Sequence, residues 1–518
     1  MSGGEASNRK TTLLSLGLAN FVHQADLETL PVYITSIARE LAQPRTMMGL
    51  VVFSRTVFYT VAAPIWGYLA DKYSRKKILL AGCIIWGIFT ILLAFAQDYN
   101  QLLILRILTG IGLASILAPS FGIINDYYTR EERGKALGIF ALIGILGIAV
   151  MIPILGMLDA PSLTGGIESD LTQLTLLAFT PGGIQLLTSL LILDANAKFT
   201  VFLGCWRRGF IIVGALSLAI SLVLFLLVKE PPKGAAEAEF EGLPVKEMSD
   251  VYKISRKDLL EIVKIPTMIV LFAQGIAGVI PWTVLSAWLI HWLETAKYQP
   301  PGVATTVFGL IVVGVGIGNA LGGYIGDRMH KWNPNRGRIL TAQISIFLGI
   351  PLTAIVLTAQ LDALGYAVMG FITGTALSWS GTGAVQPIVA DVTKPEVRGT
   401  AFAIEQFFEA GFSAFGALLA GWMADVLGGG FFMQWMSPYA YIWLPVLGGY
   451  GFAGVTTWIL AAYASGQALT SAMLFTTVVP WTVCLLLFTL AYRYYPADRE
   501  KIHSLLEERR KLMVEKKT

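Results

Sequence analysis

Residues 67–77 read GYLADKYSRKK, and residues 323–331 read GYIGDRMHK. In each stretch an aspartate follows the glycine by four positions, and a basic cluster comes next. Each closes a long apolar run, and the two copies lie about half a chain apart. The repetition predicts a duplicated half. The position at the end of an apolar run predicts a short turn between two membrane helices.

Composition agrees with lipid as the solvent. Of 518 residues, 55% are hydrophobic and 14% charged, and the mean hydropathy is +0.65. Soluble domains carry about a quarter charged residues. The runs 78–97, 107–124, 209–228, 339–358 and 472–491 contain no Asp, Glu, Lys or Arg, and each is long enough to cross a bilayer as a helix. The start MSGGEASNRK leads straight into an apolar segment without an A-x-A site, so no cleaved leader is expected. A net charge of +4 is too small to call for a nucleic-acid partner. Cys83, Cys205 and Cys484 are scattered and suit neither a disulfide framework nor a metal site.

The pattern places spans at 12–37, 46–70, 78–97, 101–126, 133–157 and 206–228, then at 266–292, 303–326, 338–358, 363–390, 399–427 and 470–493. The expected organisation is an all-α membrane protein of about twelve transmembrane helices in two pseudo-symmetric bundles. These are 12–228, with an outer insertion at 158–200, and 266–493, with an outer insertion at 428–468. A charged linker, 229–265, joins them, and tails at 1–11 and 494–518 flank them. Lys72, Arg75, Lys76, Lys77, Arg130, Arg133, Lys135, Arg328, Lys331, Arg336, Arg338, Lys394 and Arg398 fall in alternate turns. The opposite turns offer little beyond Arg39, Arg45, Lys198 and Lys297, with Arg207 and Arg208 at a helix mouth. The positive-inside rule puts both termini, the linker and the two repeated turns in the cytoplasm of a cell-membrane protein.

The repeated turn resembles the signature turn of the major facilitator superfamily of secondary transporters. LLILRILTGIGLA at 102–114, with Arg106 buried in an apolar run before Gly110 and Gly112, resembles that superfamily's fourth-helix motif. Gly144, Gly147 and Pro153–Gly156 match its fifth-helix motif in part. APIWGYLADKYSRKKIL and LRILTGIGLAS are also similar to the spinster-type lipid carriers. That branch usually shows an Asp-Arg pair in helix one and an acid after the helix-four glycines, where this chain has Leu27 and Leu113. The resemblance implies two six-helix bundles around a central cavity, working by alternating access.

Within that frame Gly67 would let two helices approach closely. Asp71, and Asp327 in the second copy, would cap a helix or pair with arginine to hold one conformation closed. Arg75, Lys76, Gly323 and Arg328 complete the switch set. In HQADLETL, residues 23–30, His23 and Asp26 share a helix face while Glu28 points about 200° away from Asp26. Arg55 lies at a similar depth on the second helix, so an Asp26–Arg55 pair is expected. For Arg106 the alternatives are a cavity-facing charge and a side chain snorkelling to the headgroups. Glu405 and Glu409 share a face at i, i+4, and two carboxylates so close in low dielectric suit a proton carrier. Gln274, Trp282, Trp379 and Gln386 are candidate cavity contacts, and Pro119, Pro281 and Pro387 candidate bends.

GVGIGNALGG at 314–323 imitates a dinucleotide fingerprint, but it lies inside an apolar span, where packing glycines are the better reading. No ATPase or hydrolase motif is found, so neither an enzyme nor a cofactor is expected. The expected function is secondary active transport of a small organic solute, coupled to protons, with an organic anion or zwitterion as substrate. The protein would work as a monomer in the bilayer. A multidrug or lysolipid exporter is the alternative, and a transporter-like sensor the alternative of another class.

Overall fold

The structure, a computed structural model, describes residues 3–128, 130–158, 205–231, 262–394, 398–427 and 451–515. Every regular element among them is helical. In the first half these are α1 (Gly3–Glu40), α2 (Arg45–Lys72), α3 (Arg75–Leu93), α4, α5 (Arg130–Leu158) and α6 (Cys205–Leu227). The second half has α7 (Pro266–Thr295), α8 (Pro301–Trp332), α9 (Gly337–Thr358), α10, α11 (Arg398–Leu427) and α12 (Gly451–Glu515). Two helices are broken: α4 into α4a (Tyr99–Leu113) and α4b (Leu117–Tyr127), and α10 into α10a (Ala363–Leu377) and α10b (Gln386–Val392). A π-turn, Gly381–Val385, precedes α10b.

The breaks occupy equivalent places in the two halves, and a proline sits just beyond each. Pro119 and Pro387 have no N–H to return to Ser115 and Gly383, so the regular ladder cannot continue through them. Pro281, expected to bend its helix, lies inside an α7 assigned as continuous. Matching aspartates start the two broken helices. Asp98 accepts from the N–H of Gln101 at 2.9 Å, and Asp362 from that of Gly365 at 2.8 Å.

Packing repeats between the halves. In the first, α1 packs on α5 and α6, α2 on α4, and α3 on α4 and α6; in the second, α7 packs on α11 and α12, α8 on α10, and α9 on α10 and α12. The halves meet through α2 with α11, α5 with α8, and α1 with α7, which are pairs that a pseudo-twofold axis exchanges. Large apolar side chains such as Leu142, Leu146, Val150 and Ile154 on α5 recur at helical spacing and are exposed. Such a stripe is what lipid covers.

Ten of the described helices are long and apolar enough to cross a membrane. The other two elements expected as spans fall short for visible reasons. His23, Asp26 and Glu28 interrupt the apolar middle of α1, and α10, unlike the divided α4, has a π-turn between its pieces, the longer of which has 15 residues.

The last element departs from expectation. Residues 451–468, read as part of an outer insertion, and 494–515, read as tail, belong to one helix with the final span. At 1.5 Å per residue its 65 residues extend about 97 Å, far more than a bilayer needs. One reason the helix outruns the membrane is a tertiary anchor. Asp498 Oδ2 accepts from the N–H of Thr267 at 2.9 Å and its hydroxyl at 2.6 Å, closing the first turn of α7. Residues 159–204 and 428–450 of the insertions, and 232–261 of the linker, lie outside the described residues.

Candidate functional site

In the first half, Asp26 and Arg106 form a fully buried ion pair, with Arg106 Nη1 2.8 Å from Asp26 Oδ1. Arg106 Nη2 also donates to the Asp26 carbonyl at 3.1 Å. The other carboxylate oxygen accepts from the Trp86 indole at 2.6 Å and the Thr90 hydroxyl at 3.0 Å. The expected Asp26–Arg55 pair is therefore not formed, because Arg106 and α3 enclose Asp26 from the other side. Arg106 does not snorkel either, being fully buried. Glycines make this approach feasible: a methyl on Gly112 would strike the backbone of Trp86, and one on Gly110 the backbone of Arg55.

Arg55 is half-buried and donates to Thr56 at 3.4 Å. It lies within electrostatic reach of Arg106, Glu28, Asp26 and Tyr59. Arg106 and Asp26 thus form a pair around the middle of α1, with Glu28 and Arg55 nearby. Glu28 accepts from Ser286 of the second half at 2.6 Å. His23 is 1% exposed, lies 6.0 Å from the Tyr59 ring and 6.4 Å from that of Trp86, and neither ring nitrogen has a hydrogen-bond partner among the described residues.

The second half holds a cavity of about 250 Å³ walled by α7 to α12, including the π-turn. Gln274, Trp282, Asn319, Ser380, Glu409 and Trp481 line it. Gln274 directs its amide N–H to the Leu271 carbonyl at 3.0 Å, which leaves its oxygen to the Cys484 thiol at 3.5 Å. Gln406 donates to both Glu405 and Glu409, at 3.1 Å each, so an amide bridges the two carboxylates. The second oxygen of Glu405 is buried and accepts no hydrogen bond from N–H or hydroxyl groups among the described residues, with the Glu409 carboxyl beside it. Gln386 stands apart, exposed at the start of α10b and not among the residues lining the cavity.

The repeated turns depart from expectation at their glycines. A methyl on Gly67 would make only ordinary contact with Ala118, at 3.7 Å, and one on Gly323 would meet nothing within 4 Å among the described residues. The close approach in the second half is made by Gly314, Gly318, Gly322 and Gly326, where a methyl would run into the backbone of α10 or its π-turn. This is the packing role expected of the dinucleotide-like run.

The arginines of the turns have partners within their own halves. Arg75 pairs with Asp126 and donates to the Gly122 carbonyl at 3.1 Å. Arg338 lies 3.5 Å from Asp391 and 3.9 Å from the 71%-exposed Asp327. Glu230 closes the first turn of α3, accepting from Ser74, from the N–H of Arg75 at 2.7 Å and from that of Lys76 at 3.3 Å. The Lys76 ammonium reaches the Phe225 carbonyl at 2.7 Å, while Arg328 is exposed. The side chain of Asp71 lies outside the described residues.

Asp126 and Asp391 escaped the sequence reading although a signal existed. DYYTREERG at 126–134 and DVTKPEVRG at 391–399 share an aspartate seven residues before an Arg-Gly pair. Trp86 and Thr90, one helical turn apart on α3, carried only a weak cue. The cavity residues on α8, α10 and α12 carried none.

The sequence profile described as Major Facilitator Superfamily matches residues 16–417, and the chain belongs to that superfamily. Among its relatives, the sphingosine-1-phosphate transporter of Danio rerio is 25% identical over 414 residues, covering 77% of this chain and 73% of its own. The hexuronate transporter of Bacillus subtilis is 21% identical over 436 residues, 82% of this chain and 90% of its own. A solved bacterial homologue of the human lysosomal transporter spinster, inward-facing and unoccupied, superposes with a TM-score of 0.76 at 20% identity, covering 95% of this chain and 98% of its own. Multi-pass transport proteins thus surround this chain, which establishes its class and fold.

Proposed function

We propose that the chain is a secondary active transporter of a small organic anion or zwitterion, driven by protons and working by alternating access. The basic turns face the cytoplasm, as the positive-inside rule directs. The hydrogen-bonded contacts between the halves support a conformation open to that side: Glu28–Ser286, Thr35–His291 and Thr46–Asp425 all lie toward the opposite end.

The observation that carries the reading is the bridged pair Glu405–Gln406–Glu409 beside a polar cavity. Two adjacent carboxyl groups joined by one amide form a group able to hold a shared proton and release it. Asp26 is less suited to that task than the sequence implies, since Arg106, Trp86 and Thr90 already occupy it. Its role in coupling is as the counter-charge that holds Arg106 in the core. Arg55, half-buried and without a dedicated carboxylate, is the group for a substrate anion. His23, Gln274 and Glu409 supply the remaining polar contacts.

A second reading is an amphipathic phosphate ester, favoured by the sphingosine-1-phosphate transporter among the relatives. Uptake of labelled glucuronate and of labelled sphingosine-1-phosphate into proteoliposomes, with and without an imposed pH gradient, separates the two. Glu409→Gln is expected to lose gradient-driven accumulation at least tenfold while keeping exchange. Accumulation indifferent to a protonophore would end the proton-coupled reading.

A further inference from the structure

We propose that Asp425 is a releasable N-terminal cap of α2, a latch between the halves that keeps the end opposite the basic turns closed in this conformation. The inference rests on the alternating-access reading above. α2 begins at Arg45 after Pro44, a residue with no side-chain oxygen to receive the first N–H groups. Asp425, near the end of α11 in the other half, supplies it. Its Oδ2 accepts from the Thr46 N–H at 2.7 Å and hydroxyl at 2.6 Å, and its Oδ1 from the Arg45 N–H at 3.3 Å.

Asp425 is 8% exposed and sits in the last turn of its own helix, where the macrodipole disfavours an anion. A carboxylate misplaced on its own helix and well placed on a neighbour's points to a role in the contact between them. Beside it a second chain of contacts alternates between halves. Arg45 Nε lies 3.5 Å from His291 Nε2, His291 Nδ1 lies 2.8 Å from Thr35 Oγ1, and Thr35 donates to Glu294. A neutral imidazole with its proton on Nδ1 satisfies every link. Thr35, Arg45, His291 and Asp425 also border a cavity of about 280 Å³, which gives water a place to receive these groups when they part.

Besides the local caps Asp98 and Asp362, carboxylates from distant segments close two other helix starts, Asp498 at α7 and Glu230 at α3, and both act within one half. The Asp425 cap alone among these three can be broken by moving the halves apart as rigid bodies.

The experiment places a reporter cysteine at Val279, beside the second-half cavity, in a carrier whose three native cysteines are replaced by alanine. A membrane-impermeant maleimide is added to the face opposite the basic turns. Asp425→Ala is expected to raise the labelling rate about fivefold, as loss of a helix cap would. Asp425→Asn keeps an acceptor oxygen without the charge and should raise it about twofold, and that variant carries the test if the alanine variant does not fold. Asp498→Asn, the same cap chemistry inside one half, should leave the rate unchanged. Measurable and equal labelling of the parent and both Asp425 variants overturns the latch and leaves alternating access standing, as does an equal rise in Asp498→Asn. No labelling of any variant from that face overturns both.

Discussion

Arg106 and Asp26 form an ion pair with both side chains fully buried, and each is tolerable there only because of the other. Their hydrogen bonds to Trp86, Thr90 and the α1 backbone occupy most of the remaining donors and acceptors. Removing one partner strands the other. Arg106→Met alone should therefore cost about 3–5 kcal/mol of stability. Adding Asp26→Asn should recover much of that loss, because no net buried charge then remains. Thermal unfolding of the purified single and double variants in detergent checks this. A double variant no more stable than Arg106→Met would mean that shape, not charge balance, governs the site.

At the level of helices, what matters about a glycine is what faces it. Gly318 on α8 packs against the Thr375 carbonyl of α10, so Gly318→Ala forces two backbones apart. The expected loss is about 1–3 kcal/mol. Gly323, only five positions on and part of the repeated turn, faces open space. Gly323→Ala should be neutral or stabilise by about 0.5–1 kcal/mol, through the ordinary helix preference for alanine. Comparing the two melting temperatures tests whether the turn's glycine packs or is merely tolerated.

Across the whole molecule, the end opposite the basic turns is closed by two unlike seams. One is polar, made by α1 and α2 with α7 and α11. The other joins α5 to α8 through small residues, with Gly156 against Thr305 and Gly309 against Pro153. Gly302 lies in that seam, and a Cβ built there would stand 3.5 Å from the Met157 Cγ and 3.8 Å from its Cα, so the two positions face each other. Met157→Cys with Gly302→Cys, in the same cysteine-free background, should cross-link on oxidation. Transport should then fall at least tenfold and return on reduction. Full activity in the oxidised protein would show that this seam need not open.

Much of this architecture was legible in the chain because its causes are local. Lipid rewards uninterrupted apolar runs, so the helices declared themselves along the sequence, and duplication left its mark in the repeated turns. The breaks in α4 and α10 were foreshadowed by Pro119 and Pro387, since a missing N–H acts within its own helix. Residue partnerships were different. Asp26 had two arginines at plausible depth, and spacing along one helix could not say which would arrive. Gly110 and Gly112 decided it by how closely they let α4 approach α2 and α3. Nothing along the chain marked Asp425, whose partner is the start of α2 in the other half. The length of α12 likewise reflects the anchoring of Asp498 on α7. Hydropathy and backbone chemistry are written residue by residue, whereas the choice of a charge's partner depends on distances between segments hundreds of residues apart, which exist only once the helices have packed.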